Sequence, residues 1–258
     1  MANSILEVHE VSKAFAGVHA VTNATLSIEQ GSISSVIGPN GAGKTTLFNL
    51  ISGATRPDSG TIIFDGANIE SKHSHRIAHL GLIRTFQGAK VIKRLSVLEN
   101  IILAGQNNPG DNLSNFIFAS KRKKYEAQAR AKAEDLLEMI GLTNLAGEYA
   151  GILSGGQRKL LDLARAMMAD PKLLLLDEPF AGVNPALVER LLEILKQLKK
   201  ERDLTLFLVE HDLETVMSIS DKVFVMAQGT VIASGLPATI YENDAVIEAY
   251  LGSRRNSA

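Results

Sequence analysis

Gly38-Pro39-Asn40-Gly41-Ala42-Gly43-Lys44-Thr45 fits the spacing G-x-x-x-x-G-K-[ST], with Thr46 directly after it. Glycines in this arrangement let the backbone curl around a polyphosphate with its N–H groups turned inward. A buried strand, Ser32–Ile37, is expected before the loop and a helix, Lys44–Leu50, after it, so the positive helix end faces the phosphates. Lys44 would reach the β- and γ-phosphates of ATP, and the Thr45 hydroxyl would bind Mg²⁺. A second run, Leu173-Leu174-Leu175-Leu176, ends in Asp177 and Glu178. An apolar strand closing on two acids delivers carboxylates to the C-terminal sheet edge, where α/β proteins bind ligands. Asp177 would hold the metal shell and Glu178 would polarise an attacking water. Acids after a strand are common by themselves, and the phosphate loop is what gives this pair its meaning.

These groups need a scaffold that brings distant segments to one edge. Ile5–Val8, Ala24–Ile28 and Thr61–Phe64 alternate as half-buried strands do, with turn-rich connections such as Arg56-Pro57-Asp58-Ser59-Gly60. Leu206–Val209 and Val223–Met226 are continuous apolar runs, the pattern of strands covered on both faces. Over Ala186–Arg202, Leu187, Leu191, Leu195 and Leu198 share one helical face. Alternating strands and helices argue for a layered α/β domain with a parallel sheet. The middle differs: strand signals are scarce from about Gly88 to Leu163. Helices are expected over Val97–Gly105, Lys121–Ile140 and Ser154–Ala169, with a polar loop or insertion at Gln106–Ser120. The expected organisation is a nucleotide-binding core formed by residues 1–87 and 164–258, with an inserted helical lobe at 88–163.

Leu153-Ser154-Gly155-Gly156-Gln157 makes a resemblance specific, because this pentapeptide is the signature of the ABC ATPase family. Its physics is that of a second anion-binding helix start, a serine and two glycines opening the helix Gln157–Ala169. An ordinary helix cap is the local alternative, and both readings can hold together. The resemblance implies a P-loop NTPase core with an antiparallel β lobe and an inserted helical subdomain. It implies that two ATPase subunits, alike or different, pack head to tail so that Ser154–Gln157 of one covers the ATP of the other. Gln87, after the expected strand Leu82–Phe86, sits where the family's Q-loop glutamine belongs and would sense the γ-phosphate and Mg²⁺. His211, after Leu206–Val209 and Glu210, matches the switch histidine. Phe15 takes the place of the adenine-stacking aromatic. Alone, Gln87 reads as a surface residue, His211 as weak evidence for any site and Phe15 as a core aromatic. Asn184 in Ala181-Gly182-Val183-Asn184-Pro185 departs from the family's usual Asp, which bears on cross-subunit contact.

The segments Arg84-Thr85-Phe86-Gln87, Ala181–Pro185 and Ala249-Tyr250-Leu251-Gly252, with the insertion after Gly105, resemble the ATPase subunits of branched-chain amino-acid uptake systems. That implies two integral membrane permease subunits, a separate solute-binding protein and a place on the cytoplasmic face of the inner or plasma membrane. Subunits for urea or amide uptake and for lipopolysaccharide extraction share much of this wording. A soluble ABC ATPase of translation or DNA repair is a further reading. It usually carries two cassettes, a long coiled coil or zinc hooks, whereas this chain has one phosphate loop and no extended heptad run. A nucleotide-dependent binding module that hydrolyses poorly is another, and Glu178 and His211 count against it.

Composition sets the outer limits. The 258 residues carry a net charge of −1, so no global field draws the chain to nucleic acid or acidic lipid. No cysteine is present, hence no disulfide framework and no thiolate metal site. Met1–Glu10 shows no basic stretch followed by an apolar one, so no secretory signal is expected. No apolar run approaches the ~20 residues of a membrane span, and another chain would have to supply it. His73, His75 and His79 cluster, but without a third ligand they read as a polar helix surface. Lys121-Arg122-Lys123-Lys124 reads as a solvated face, with Glu126, Glu134 and Asp135 following.

Overall fold

The computed structural model describes residues 3–85, 91–106 and 119–255. Ten strands and nine α-helices lie among them. The strands are β1 (Ser4–Phe15), β2 (Val18–Glu29), β3 (Ile33–Ile37), β4 (Ser59–Phe64), β5 (Ala67–Asn68), β6 (Leu82–Arg84), β7 (Leu173–Asp177), β8 (Thr205–Val209), β9 (Lys222–Ala227) and β10 (Thr230–Gly235). The helices are α1 (Lys44–Ile51), α2 (Ser74–His79), α3 (Val97–Ile102), α4 (Ala119–Ile140), α5 (Gly155–Met167), α6 (Pro185–Arg202), α7 (Leu213–Ile219), α8 (Pro237–Tyr241) and α9 (Asp244–Arg255). The chain divides into two compact units. One comprises residues 1–84, 172–181 and 195–258, and the other residues 85–171 and 182–194.

The first unit is built on two sheets. Four strands in the order β2-β1-β4-β5 form an antiparallel sheet. Six more run β10-β9-β3-β8-β7-β6, parallel except for the edge strand β10. Every residue of β3, β7 and β8 is buried, as the unbroken apolar runs demand of strands covered on both faces. β1 and β2 run beyond the alternating cores legible in the sequence. Ala16 and Gly17 both have positive φ, the tight turn that lets a hairpin continue through polar residues to Phe15 and Val18. In the core Phe207 sits between Phe48 (centroids 4.9 Å apart) and Phe224 (6.2 Å, edge-on), all but closed off from solvent.

In the second unit α4 packs against α3 and α5. Ala129, Ala133, Leu136, Leu137 and Ile140 of α4 are buried at helical spacing. α3 and α5 both begin in a capping box, Ser96 with Glu99 and Ser154 with Gln157. α5 runs unbroken through residue 164 to Met167, and the compact division falls at residue 172.

Glu210 follows directly on β8 and is 1% exposed, a carboxylate at the end of an apolar strand. It accepts hydrogen bonds from the Phe180 N–H (2.9 Å) and the His211 N–H (3.3 Å). Burial pushes its pKa above the ordinary 4.5, and those two backbone donors work against the shift. The folded state therefore holds this proton more tightly than the unfolded one. The stability so gained is complete below the ordinary value and is lost as pH climbs through the raised one.

Two consequences are measurable. Glu210→Gln stays neutral at every pH, so its melting temperature relative to the parent should rise as pH increases from below 4.5 towards neutrality. A difference flat with pH refutes the account. Phe207→Ala empties the aromatic core and should cost about 3–5 kcal/mol in urea unfolding. A loss under 1 kcal/mol would mean that the core closes over the gap.

Candidate functional site

Register assembles the site before any side chain is considered. In the parallel sheet Val36 pairs with Val209, and Val209 pairs with Asp177. The next residues of three distant segments therefore leave the same edge together, Ile37-Gly38 from β3, Glu210-His211 from β8 and Glu178 from β7. Backbone bonds lock the exit, Glu178 N–H to Val209 O at 3.0 Å and Glu210 N–H to Val36 O at 3.3 Å.

The phosphate loop follows β3 and ends in Gly43, whose φ of 98° begins α1 with no side-chain cap. Two of its glycines are required by close approach as well as by conformation. A Cβ at Gly38 (φ +152°) would stand 2.0 Å from Met226 O, and one at Gly43 would stand 2.4 Å from Ala20 O. The Gly229 N–H bonds Ala42 O at 3.1 Å, so β2, β9 and the β9–β10 turn hold the loop. Pro39 is half-buried and Asn40 and Gly41 lie at the surface. Lys44 is 8% exposed, and its Nζ donates to Gly38 O (2.7 Å) and Pro39 O (3.0 Å). Burial lowers its pKa, while the nearby Glu178 and Asp177 carboxylates pull it back up. The loop thus presents a partly dehydrated ammonium beside two acids. Thr45 is exposed and Thr46 half-buried in the first turn of α1.

Asp177 is 4% exposed. Its Oδ2 is paired with Arg84 Nη2 at 2.8 Å, and Arg84 also donates to Asn49 Oδ1 (2.7 Å) and Ser52 Oγ (3.2 Å). Its Oδ1 is buried and takes no hydrogen bond. An acceptor-only oxygen left without a donor, with a threonine hydroxyl on the same loop edge, suits a hard divalent cation such as Mg²⁺. Glu178 has φ +49°, a conformation costly for a side-chain-bearing residue and found mostly where function demands it. His211 is exposed, with Nδ1 3.8 Å from Glu210 Oε2. Phe15, at the end of β1, is 46% exposed rather than core, and Lys13 Nζ lies 5.5 Å from its ring. Gln87 lies outside the described residues.

The signature belongs to the second unit. Ser154 is the N-cap of α5, taking the Gln157 N–H on Oγ at 3.2 Å, while Gln157 Oε1 takes the Ser154 N–H at 2.8 Å. Gly155 and Gly156 thus form the first turn of the helix rather than a loop ahead of it. A Cβ on Gly156 would meet Leu187 Cδ2 at 2.2 Å, whereas Gly155 faces open space. Asn184 caps α6, accepting the Leu187 N–H at 2.9 Å, which accounts for a short polar residue there.

Arg84 and Glu210 were not legible as parts of this site. Arg84 stands in a three-residue strand and gains its meaning only from the cross-strand neighbour Asp177. A carboxylate ending the fully apolar run Thr205–Val209 was the available signal for Glu210.

Comparison with known proteins agrees with this geometry. The ABC transporter family model matches residues 21–181, and that of the branched-chain amino acid ATP-binding cassette transporter matches residues 230–255. A probable branched-chain amino acid transport ATP-binding protein of Archaeoglobus fulgidus is 43% identical over 97% of this chain and 96% of its own. The high-affinity counterpart from Pseudomonas aeruginosa is 40% identical over 98% and 99%. Among solved structures, the ADP conformation of an ATP-binding cassette of an ABC transporter superposes with a TM-score of 0.84 at 35% identity, covering 97% of this chain and 99% of that one. Site geometry, whole-length identity and fold agree, and the chain belongs to the ABC transporter family, in its branch of branched-chain amino acid transport ATP-binding proteins.

Proposed function

We propose that the chain is the ATP-hydrolysing subunit of a transporter that imports branched-chain amino acids. The observation that carries this is the convergence at one sheet edge of the Lys44 cradle, Asp177 with its orphaned oxygen, and Glu178 in a strained backbone. Peptide N–H groups of Gly38–Thr46 and the start of α1 bind the phosphates. Phe15, flat and exposed at the tip of its hairpin, stacks on the adenine. Lys44 exchanges its two carbonyl partners for phosphate oxygens and sheds little water in doing so, because burial has already removed most of it.

Thr45 and Asp177, with Gln87, are the residues that hold Mg²⁺, whose charge offsets that of the phosphate oxygens. Arg84 fixes the other Asp177 oxygen, so the free one has a single direction to offer. Glu178 orients water for in-line attack and takes up its proton. The Glu210 carboxylate grips the His211 N–H and keeps that imidazole at the same edge, where it meets the developing charge.

The reading extends to an assembly. Ser154–Gln157 covers the nucleotide of a second ATPase subunit packed head to tail. The helical lobe, residues 88–163, transmits closure through Gln87 to two integral membrane permeases. A separate solute-binding protein delivers the amino acid. Among the described residues no helix is long and apolar enough to cross a membrane, so on this reading the chain works from the cytoplasmic face. The names of the relatives support the solute class, and no nucleic acid has a part.

Glu178→Gln should bind ATP as the parent does while turnover falls by about 10²–10³-fold. Turnover at the parent rate removes Glu178 from the role of base. Purified from its native membranes in mild detergent, the tagged chain should bring down two multi-span proteins and a second ATPase subunit. Recovery of soluble factors or nucleic acid alone would refute the transport reading.

A further inference from the structure

The segment Ala249-Tyr250-Leu251-Gly252 lies far along the chain from every group in the mechanism. Tyr250 stands on α9, and its ring packs against Ile37, Val216, Val223, Val225, Ile240 and Val246. Ile37 is the last residue of β3, and the next residue opens the phosphate loop. Val246 and Tyr250 are one helical turn apart, so a single face of α9 seats the ring beneath that exit. The Tyr250 hydroxyl oxygen is buried. The Gly38 N–H is directed at it and tends to lower its pKa, but burial acts more strongly and raises it, which keeps the group a neutral phenol.

Gly38 is the residue where this matters most. Its carbonyl receives Lys44 Nζ at 2.7 Å, and its φ of +152° leaves no room for a Cβ against Met226 O. Glycine in such a conformation keeps wide backbone freedom unless its peptides are held. On one side the carbonyl holds the lysine, and on the other the N–H faces the phenol.

We propose that Tyr250 is a positioning residue of the nucleotide site: from the C-terminal helix its hydroxyl restrains the first peptide of the phosphate loop, and through Gly38 sets where Lys44 waits for the phosphates. The inference rests on the ATP-binding reading of that loop. It gives α9 a role beyond closing the apolar cluster over β9. Its energetic scale is that of one ordinary hydrogen bond, about 1 kcal/mol, or roughly fivefold in affinity.

Tyr250→Phe keeps the ring and removes the hydroxyl, and Tyr250→Ala removes both. The full chain of each is compared with the parent for MANT-ATP affinity, for KM and kcat of ATP hydrolysis, and for melting temperature. Tyr250→Phe should melt within about 2 °C of the parent, bind nucleotide about fivefold more weakly and raise KM to match, with kcat within about twofold. Tyr250→Ala should in addition lose thermal stability. Unchanged affinity and KM in Tyr250→Phe would overturn the proposal and leave Tyr250 as packing. A fall in melting temperature as large as that of Tyr250→Ala would do the same. A parent chain that binds no MANT-ATP would instead refute the ATP reading, so the two failures are distinguishable.

Discussion

The register of three buried parallel strands is the constraint on which everything else here depends. β3, β8 and β7 come from segments separated by most of the chain, and each is closed to solvent along its whole length. With both faces covered, a slip of one residue would carry apolar side chains out of the core and bring buried serines and acids into it. The pairing of Val36 with Val209, and of Val209 with Asp177, is therefore fixed by packing on both sides of the sheet. Phosphate loop, metal-binding acid, base and histidine then follow as the residues that come next. The chemistry needs no element of its own to align it, because the hydrophobic core has already done so.

That same edge holds charges a protein of this size does not bury without reason. Asp177 sits beside Arg84, and Arg84 leans on Asn49, Ser52 and the face of Phe48. Glu210 is nearly as deep and has only backbone N–H groups on its oxygens. Hydrogen bonds of this kind soften the desolvation cost without cancelling it, as the upward shift of the Glu210 pKa records. Glu178 adds a backbone in the left-handed region. The unit accepts these costs at one rim of a sheet whose remaining length is apolar, which is where stability is exchanged for a preformed site.

Much of this was legible in the residues. The loop Gly38–Thr45 announces itself by spacing, and runs such as Leu173–Leu176 can only be strands buried on both faces. Less was legible wherever a contact joins distant segments. Nothing local marks Arg84 as the partner of Asp177, or Ala20 and Met226 as the carbonyls that require glycine at Gly43 and Gly38. The extent of β1 and β2 was hidden for another reason. Their outer halves are polar, and only the positive φ values at Ala16 and Gly17 show how the hairpin is carried on. Phe15 illustrates the limit well: an aromatic in an alternating run reads equally as core or as platform, and its exposure decides between them.

The two helix starts assigned to phosphate differ in a way that bears on why the cassette needs a second subunit. α1 begins at Gly43 with no side chain closing its first N–H groups, and a buried lysine stands beside them. Those donors are unsatisfied until an anion arrives, so the loop is suited to bind nucleotide within its own chain. α5 begins with Ser154 and Gln157 already bonded to each other's backbone N–H groups. A phosphate meeting that start must share or displace a cap worth about 1 kcal/mol, and the exposed Gly155 offers backbone without adding charge. Such a helix start attracts free anions weakly. It gains from a nucleotide only when one is brought to it already held and oriented, and a partner's phosphate loop does that. The weak site thus depends on the strong one, and closure of two subunits follows the loading of nucleotide rather than preceding it.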